Sequence, residues 1–425
     1  MSDGRVVFGI DLRDDITQIS YCTGPEEGVR TYSVSSGIEL FSIPTEAVKL
    51  PDGEWCFGDE AREMSNIHGL PLVTDLLSRA VDKSYYRDRD SSEDSVVVSN
   101  PEKLLGDFLS FVTYLPDIPG DLEVVEVVVT VEEMKPNIPS VITRVLRRSR
   151  DDIKSVRCIS HDESFFYYSL NQPIDLWQHG VLLYKFNKDV FLEKRLIIST
   201  DSIPAVAKVE TVEHPEMLIY SDNEGSEKDE VFGEIAETAL DEKTSSVCVT
   251  GSGFDGGWAK GTYKLMCRKT RVFQGQNLFT KGACYAASES IFMLNIQKHY
   301  IFFDENKLRV NVGIRAFDNT GCEKVIWAVD AGNSWYDSRA QKDVLIGEDR
   351  EMFVVLHSVS SRNERNTLLR LDWLPERPEH CSRVRMEFFF KSVSELIIRI
   401  SDLGFGSFFR SSGIVREECL DLDGM

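Results

Sequence analysis

Two pairs of glycines directly after a strand-like run carry the main chemical signal in this sequence. Val247-Cys248-Val249-Thr250 leads into Gly251-Ser252-Gly253, and Gly256-Gly257 follow. Missing side chains let backbone N–H groups approach a ligand, and a helix starting beyond such a turn adds a field favourable to phosphate. The same glycines also serve tight strand-to-helix packing, so the residues alone leave both uses open. The second signal is Asp11, at the end of the strand-like run 6–12. A carboxylate there, beside a crevice, is placed to hold a metal ion or its waters. Asp14 and Asp15 follow at once, so a turn-forming role is the alternative.

Other chemistries lack support. His161 and His179 belong to no metal-spaced cluster, and there is no GxSxG, GxxxxGK[ST] or HExxH. The 9 cysteines include no CxxC pair, and those inside apolar runs, Cys248 and Cys284, read as reduced core thiols of a cytoplasmic protein. Of 425 residues, 48 are Lys or Arg and 70 are Asp or Glu, a net charge of −22. That balance argues against broad binding to nucleic acid or an anionic membrane, both of which want a basic face. A hydrophobic fraction of 42% is ample for a packed core. No stretch approaches about 18 uninterrupted apolar residues, so no transmembrane helix is expected. The N-terminus enters a strand-like run at once, so no signal peptide is expected.

The elements that must position these residues follow an alternation. Strands read at 6–12, 17–22, 30–33, 124–131, 156–159, 181–186 and 247–250. Helices read near 58–61, 104–112, 139–149, 162–170 and 231–240, with exposed loops at 82–97 and 221–230. Residues 124–131 are nearly all β-branched, as central strands of parallel sheets are. The βαβ order predicts an α/β sheet architecture. Arg144, Arg147 and Arg148 close the helix near 139–149, where they compensate its dipole. After 298 the period becomes two, with Leu308, Val310, Val312 and Ile314, then Val384, Met386, Phe388 and Phe390, on one face. Residues 298–425 are therefore expected to form an antiparallel β sandwich.

The order of these pieces resembles the actin, sugar-kinase and heat-shock-chaperone ATPase superfamily, and most of all the seventy-kilodalton (DnaK-type) chaperones. Gly9-Ile10-Asp11-Leu12 looks like the start of the first phosphate motif, and Ile43-Pro44-Thr45 with Phe57-Gly58-Asp59-Glu60-Ala61 like the block after it. Val127–Val131, Asp162-Glu163 with Tyr167–Leu170, Thr250–Gly253 and Lys281–Ala287 are similar to four further family blocks in the same order. The resemblance implies an actin-like, two-lobed ATPase-type domain over 1–297, followed by a β-sandwich, peptide-binding-like domain over 298–425. It implies ATP or ADP with Mg as cofactor, Asp11 on metal or phosphate, and Gly251, Ser252, Gly253, Gly256 and Gly257 on nucleotide.

The departures bear on function. Where the family runs Asp-Leu-Gly-Thr-Thr, this chain has Asp11-Leu12-Arg13-Asp14-Asp15. The second phosphate motif is replaced by Lys185-Phe186-Asn187-Lys188 after its strand, and the stretch from Val181 to Gly251 is too short for the family's full helical subdomain. Positioned phosphate contacts supply most phosphoryl-transfer catalysis, so little or no ATPase activity is expected. Binding without turnover and no nucleotide at all both stay open. The expectation is a chaperone-like protein with a degenerate nucleotide site that binds a polypeptide or protein partner through its β domain, by way of Phe405, Phe408 and Phe409 beside Gly404 and Gly413. One alternative is an active ATP-dependent chaperone or kinase in which Arg13 and Lys185 neutralise the phosphates. Another is a non-catalytic scaffold kept soluble by its charge.

Overall fold

The computed structural model describes all residues except 1–3, 25, 36–38, 83–84, 86–97, 119–121, 188, 221–224, 242–243, 293–295, 318–320, 362, 379 and 425. Most of the loop expected at 82–97 thus lies outside the described residues, as does Lys188. The chain divides into two compact units, one of residues 1–197 and 209–296, the other of 198–208 and 297–425. Ile198–Lys208, which the sequence reading assigned to the first domain, falls in the second unit.

The first unit contains one plan used twice. In its first half β1 (Arg5–Leu12), β2 (Ile16–Cys22), β3 (Arg30–Thr31), β4 (Glu123–Val131) and β5 (Ser155–Ser160) form a sheet of order β3-β2-β1-β4-β5. β1 is antiparallel to β2 and parallel to β4, and β4 is parallel to β5. In the second half β6 (Val181–Asn187), β7 (Val190–Ser199), β8 (Ala205–Glu213), β9 (Ser246–Thr250) and β10 (Arg271–Gln274) take the order β8-β7-β6-β9-β10, the end of β7 and the start of β8, within 198–208, being counted with the second unit. Again the first strand is antiparallel to the second and parallel to the fourth, which is parallel to the fifth. The helices follow suit. α1 (Pro101–Tyr114), α2 (Ile138–Ser149) and α3 (His161–Leu170) stand in the first half where α4 (Gly225–Ala239), α5 (Lys260–Lys269) and α6 (Leu278–Phe292) stand in the second.

Local chemistry explains the elements. β4 is buried over its last six residues, as its valine run requires. α1 starts at Asn100, whose side chain accepts from Lys103 N, with Pro101 in the first turn. The basic end of α2 serves packing as well as the dipole, because Arg144 forks onto Glu102 of α1 at 2.9 and 2.7 Å. α4 begins at Gly225, six residues before the expected start at 231. Its acidic first turns are compatible with a helix because acids favour helix N-termini, and Asp229 also gains partners on α5.

α3 and α6 pack against each other and α6 against β1. A Cβ on Gly9 would overlap the Cys284 backbone nitrogen, and one on Gly282 would overlap the Ser164 carbonyl. Ser164 Oγ donates to Phe279 O (2.6 Å) and Thr280 Oγ1 to Gly9 O (2.9 Å), so buried polar groups close the same contact.

In the second unit β11 (Val310–Phe317), β12 (Glu323–Val329), β13 (Arg339–Ile346), β14 (Glu351–Ser358), β15 (Glu364–Arg370), β16 (Ser382–Ser392), β17 (Glu395–Gly404) and β18 (Val415–Asp421) make two four-stranded sheets, β12-β11-β14-β15 and β13-β16-β17-β18. Neighbours in both are antiparallel. Val312, Ile314, Val354 and Leu356 of one sheet share a core with Met386, Phe388, Ile398 and Ile400 of the other. In the same unit Ala205–Ala207 pair in parallel with Tyr300–Phe302.

The α3–α6 contact yields a prediction. Gly282→Ala drives a methyl group into helix backbone that cannot move alone, and overpacking of this kind costs about 3 kcal/mol or more. Denaturant unfolding of the variant at the wild-type midpoint would show that the two helices are not held as described.

Candidate functional site

The C-terminal ends of β1, β4, β5 and β6 deliver four side chains to one place. Asp11 is the next-to-last residue of β1, and Arg13 begins the turn to β2, its N–H donating to Ile16 O (3.1 Å). Ser160, the last residue of β5, caps α3 by accepting from Glu163 N (3.1 Å), which fixes His161 as the first residue of the helix. Lys185 lies near the end of β6, paired with Thr250 of β9, and Glu132 follows β4.

These groups form a continuous chain of polar contacts. Lys185 Nζ donates to Glu132 Oε1 at 2.5 Å and points at His161 Nδ1 at 3.5 Å. An ammonium can only donate, so Nδ1 is the accepting nitrogen and Nε2 carries the proton that it gives to Asp11 Oδ1 at 2.7 Å. Arg13 Nε stands 3.7 Å from Asp11 Oδ2. The imidazole stacks on Phe279 of α6 at 3.9 Å between centroids, and Lys185 Nζ lies 5.4 Å from the same ring. The side chains of Asp11, His161 and Lys185 are each 3% exposed, whereas Glu132 is 43% exposed and Arg13 16%. The network therefore reaches solvent only at its two ends.

Burial alone would push the Asp11 carboxyl up, but His161, Arg13 and Lys185 outweigh it and hold it below the usual carboxylate range. Burial pushes the His161 imidazole down against the pull of Asp11, and the Lys185 ammonium down against the pull of Glu132. A neutral imidazole thus bridges a buried carboxylate and a buried ammonium.

The glycine turn lies beyond Thr250, in the same half of the unit as Lys185. Its glycines are used for packing. Gly251 has φ +105°, and an added Cβ would overlap the Phe186 carbonyl; at Gly253 it would overlap the Phe186 ring. Gly251 N donates to Gln276 Oε1 at 3.0 Å, and Gly253 O accepts from Trp258 Nε1 at 2.9 Å. Ser252 is exposed in the 3₁₀ turn Ser252–Phe254, and Gly256 and Gly257 take positive φ in the open turn after it. The helix beyond, α5, is already capped. Asp229 of α4 accepts from Gly261 N (2.7 Å) and Thr262 N (2.9 Å). Phe254 and Trp258 stack at 5.8 Å in a cluster with Phe186 and Phe232.

This donor set does not fit a magnesium–nucleotide. The Asp11 carboxylate is taken up by protein cations, the α5 N–H groups by Asp229, and the space over Gly251 and Gly253 by Phe186. Among the described residues no group of three or more His, Cys, Asp and Glu is arranged to hold a metal. The structure brings Asp11, Arg13 and Lys185 together and leaves the glycines as packing and turn positions. Sequence reasoning missed Glu132, Asp229 and the role of His161. The Ser160-x-x-Glu163 pattern could have placed His161 at a helix start, but nothing in its surroundings names Asp11, 150 positions away.

In the second unit Phe408 is 90% exposed and Phe405 42%, while Phe409 is half-buried. Phe405 N donates to Phe409 O at 2.6 Å, so the aromatics sit on a tight turn. Phe389 lies under Arg399 (5.3 Å), and Trp335 packs against the core.

The chain belongs to a family of unknown function, DUF5716, whose C-terminal region is the part matched. That family matches residues 28–305, more than half of the chain, and a domain of unknown function, DUF8552, matches 307–422. His161, Lys185, Glu132 and the glycine turn lie within the first match, and Phe405, Phe408 and Phe409 within the second. No curated protein matches the chain. No described helix is long and apolar enough to cross a membrane.

His161 supplies a pH signature. The folded protein keeps the imidazole neutral where the unfolded chain, with its ordinary value of 6.5, binds a proton. The unfolded state then takes up more protons, so stability falls as pH drops below about 6.5, by up to about 1.4 kcal/mol per pH unit. His161→Gln removes that component. Melting curves of both proteins from roughly pH 8 to pH 5 check it; identical pH dependence in the two would refute the buried neutral imidazole.

Proposed function

We propose that this is a heat-shock-chaperone-like protein whose first unit keeps an actin-like plan without a working nucleotide site, and whose second unit binds polypeptide. The observation that carries the first half is the Asp11–His161–Lys185–Glu132 network. It occupies the strand ends where the superfamily resemblance would put metal and phosphate, and it satisfies their charge internally. The strand order used twice, with α3 and α6 meeting between the halves, supports the actin-like reading. The two-sheet architecture and the exposed aromatic turn support the polypeptide-binding reading. All 9 cysteines are free thiols, which suits the reducing cytoplasm.

Such a protein works by holding rather than by turnover. The network ties β1, β4, α3 and β6 together from side chains alone, so the relation of the two halves does not depend on a ligand. A ligand that binds only the folded state must raise the melting temperature. Magnesium–ATP at millimolar concentration is therefore expected to leave the melt unchanged, and Phe408→Ser to abolish suppression of client aggregation while the protein stays folded. A low-micromolar ATP dissociation constant by calorimetry would overturn the first expectation. Turnover of labelled ATP that is lost in Asp11→Ala would establish the active-ATPase alternative instead.

A further inference from the structure

The turn that carries Phe408 is held from below. Arg377 and Asp402 form a two-pronged pair at 2.7 and 2.6 Å, with side chains only 4% and 0% exposed. Asp402 also accepts from Gly404 N (3.0 Å) and Ser412 N (2.7 Å), and its backbone carbonyl accepts from Ser411 Oγ (2.5 Å). Burial pushes this carboxyl up, but Arg377 and the two amides hold it well below the usual range, so it is ionised at any physiological pH. At Gly404 an added Cβ would overlap the Phe409 carbonyl, so the turn folds back directly onto its own strand. The loop is thereby set in one shape before any partner arrives, which lowers the ordering cost of binding.

The surroundings of that turn are unlike the rest of the molecule. Arg383 is the strand partner of Gly404, Ile414 O accepts from Asp402 N (3.1 Å), and Arg416 lies two positions further on. Arg383, Arg410 and Arg416 are all exposed, and among the described residues none of them is in an ion pair. Of the acids beside them, Glu417 is engaged by Arg399 (2.8 Å) and Asp343 by Arg385 (2.9 and 3.0 Å) with Arg383 near enough to lower it further, while exposed Glu418 lies two positions from Arg416. A chain of net charge −22 thus places three exposed guanidinium groups, outside any ion pair among the described residues, near Phe405, Phe408 and Ile414 at one end of one sheet.

We propose that this end of the β13-β16-β17-β18 sheet docks a polypeptide segment that carries acidic residues beside apolar side chains. The inference rests on the reading of the second unit as polypeptide-binding, and it adds the chemical class of the ligand. Phe408 supplies the aromatic anchor, and the arginines supply carboxylate recognition through planar, two-pronged geometry. An anionic bilayer would satisfy the same side chains less well. A polybasic membrane site gathers roughly 4–8 Lys or Arg, more than the three arginines here, whereas a single segment needs only the patch.

The test uses full-length protein, a fluorescein-labelled peptide alternating Glu with Leu, the same peptide with Lys for Glu, and phosphatidylcholine vesicles containing phosphatidylserine. The Glu-Leu peptide is expected to bind, more weakly as salt is raised. Phe408→Ser and, independently, Arg410→Glu are each expected to weaken it about tenfold or more with an unchanged melting temperature. The Lys-Leu peptide is expected not to bind. Equal binding of both peptides, lost in Phe408→Ser, would keep the polypeptide-binding reading and overturn the acidic class. Binding of neither peptide would overturn both. Vesicle sedimentation that depends on Phe408 while the peptides stay free would overturn the proposal in favour of a membrane.

Discussion

Helices α3 and α6 meet across a contact that admits no side chain at Gly282, and the contents of the crevice depend on that approach. α6 also presses onto β1 at Gly9, so one helix sets its distance to the first strand and to α3 at once. Phe279, near the start of α6, then lies flat on His161 at the start of α3. The imidazole is held between that ring and Asp11, and Lys185 reaches it from the other half of the unit. A methyl group at either glycine would separate the backbones by more than any of these hydrogen bonds tolerates.

The network is close to neutral as a set, with Asp11 and Glu132 against Lys185 and Arg13. That balance matters because an unpaired charge buried at these positions would cost several kcal/mol. Mutual pairing limits the penalty, and exposure of Glu132 and Arg13 at the ends limits it further. Buried ion pairs add little net stability compared with apolar packing, but removing one member would leave its partner's charge buried and unpaired. The second unit repeats the device on a smaller scale with Arg377 and Asp402, which hold a loop in place of a crevice.

The glycine turn after Thr250 illustrates how one composition serves different ends. The same Gly-x-Gly that cradles phosphate in other proteins here lets Phe186 come within contact of the turn. Phe254 and Trp258 then stack on each other against Phe186 and Phe232. Asp229 does for the α5 N-terminus what a phosphate would do, by accepting from its free N–H groups.

By itself the sequence determined part of the local structure, leaving β7, β8 and β10 unread. The valines of β4 are strand because a run rich in β-branched residues suits a buried strand, even with Glu126 and Thr130 among them, and the two-residue period after 298 is legible because it needs only i and i+2 to agree. Ser160 and Asn100 mark helix starts through bonds that span three residues. Only the tertiary structure decided the site. Asp11 and His161 are distant in sequence, as are Asp229 and Gly261, and no periodicity relates them. Whether a glycine is a ligand cradle or a packing contact depends on which backbone arrives opposite it, and that is a property of the assembled sheets and helices. Whether an arginine is paired depends likewise on which acids the strand register brings opposite it: Arg385 is matched to Asp343, while Arg410 and Arg416 form no ion pair among the described residues.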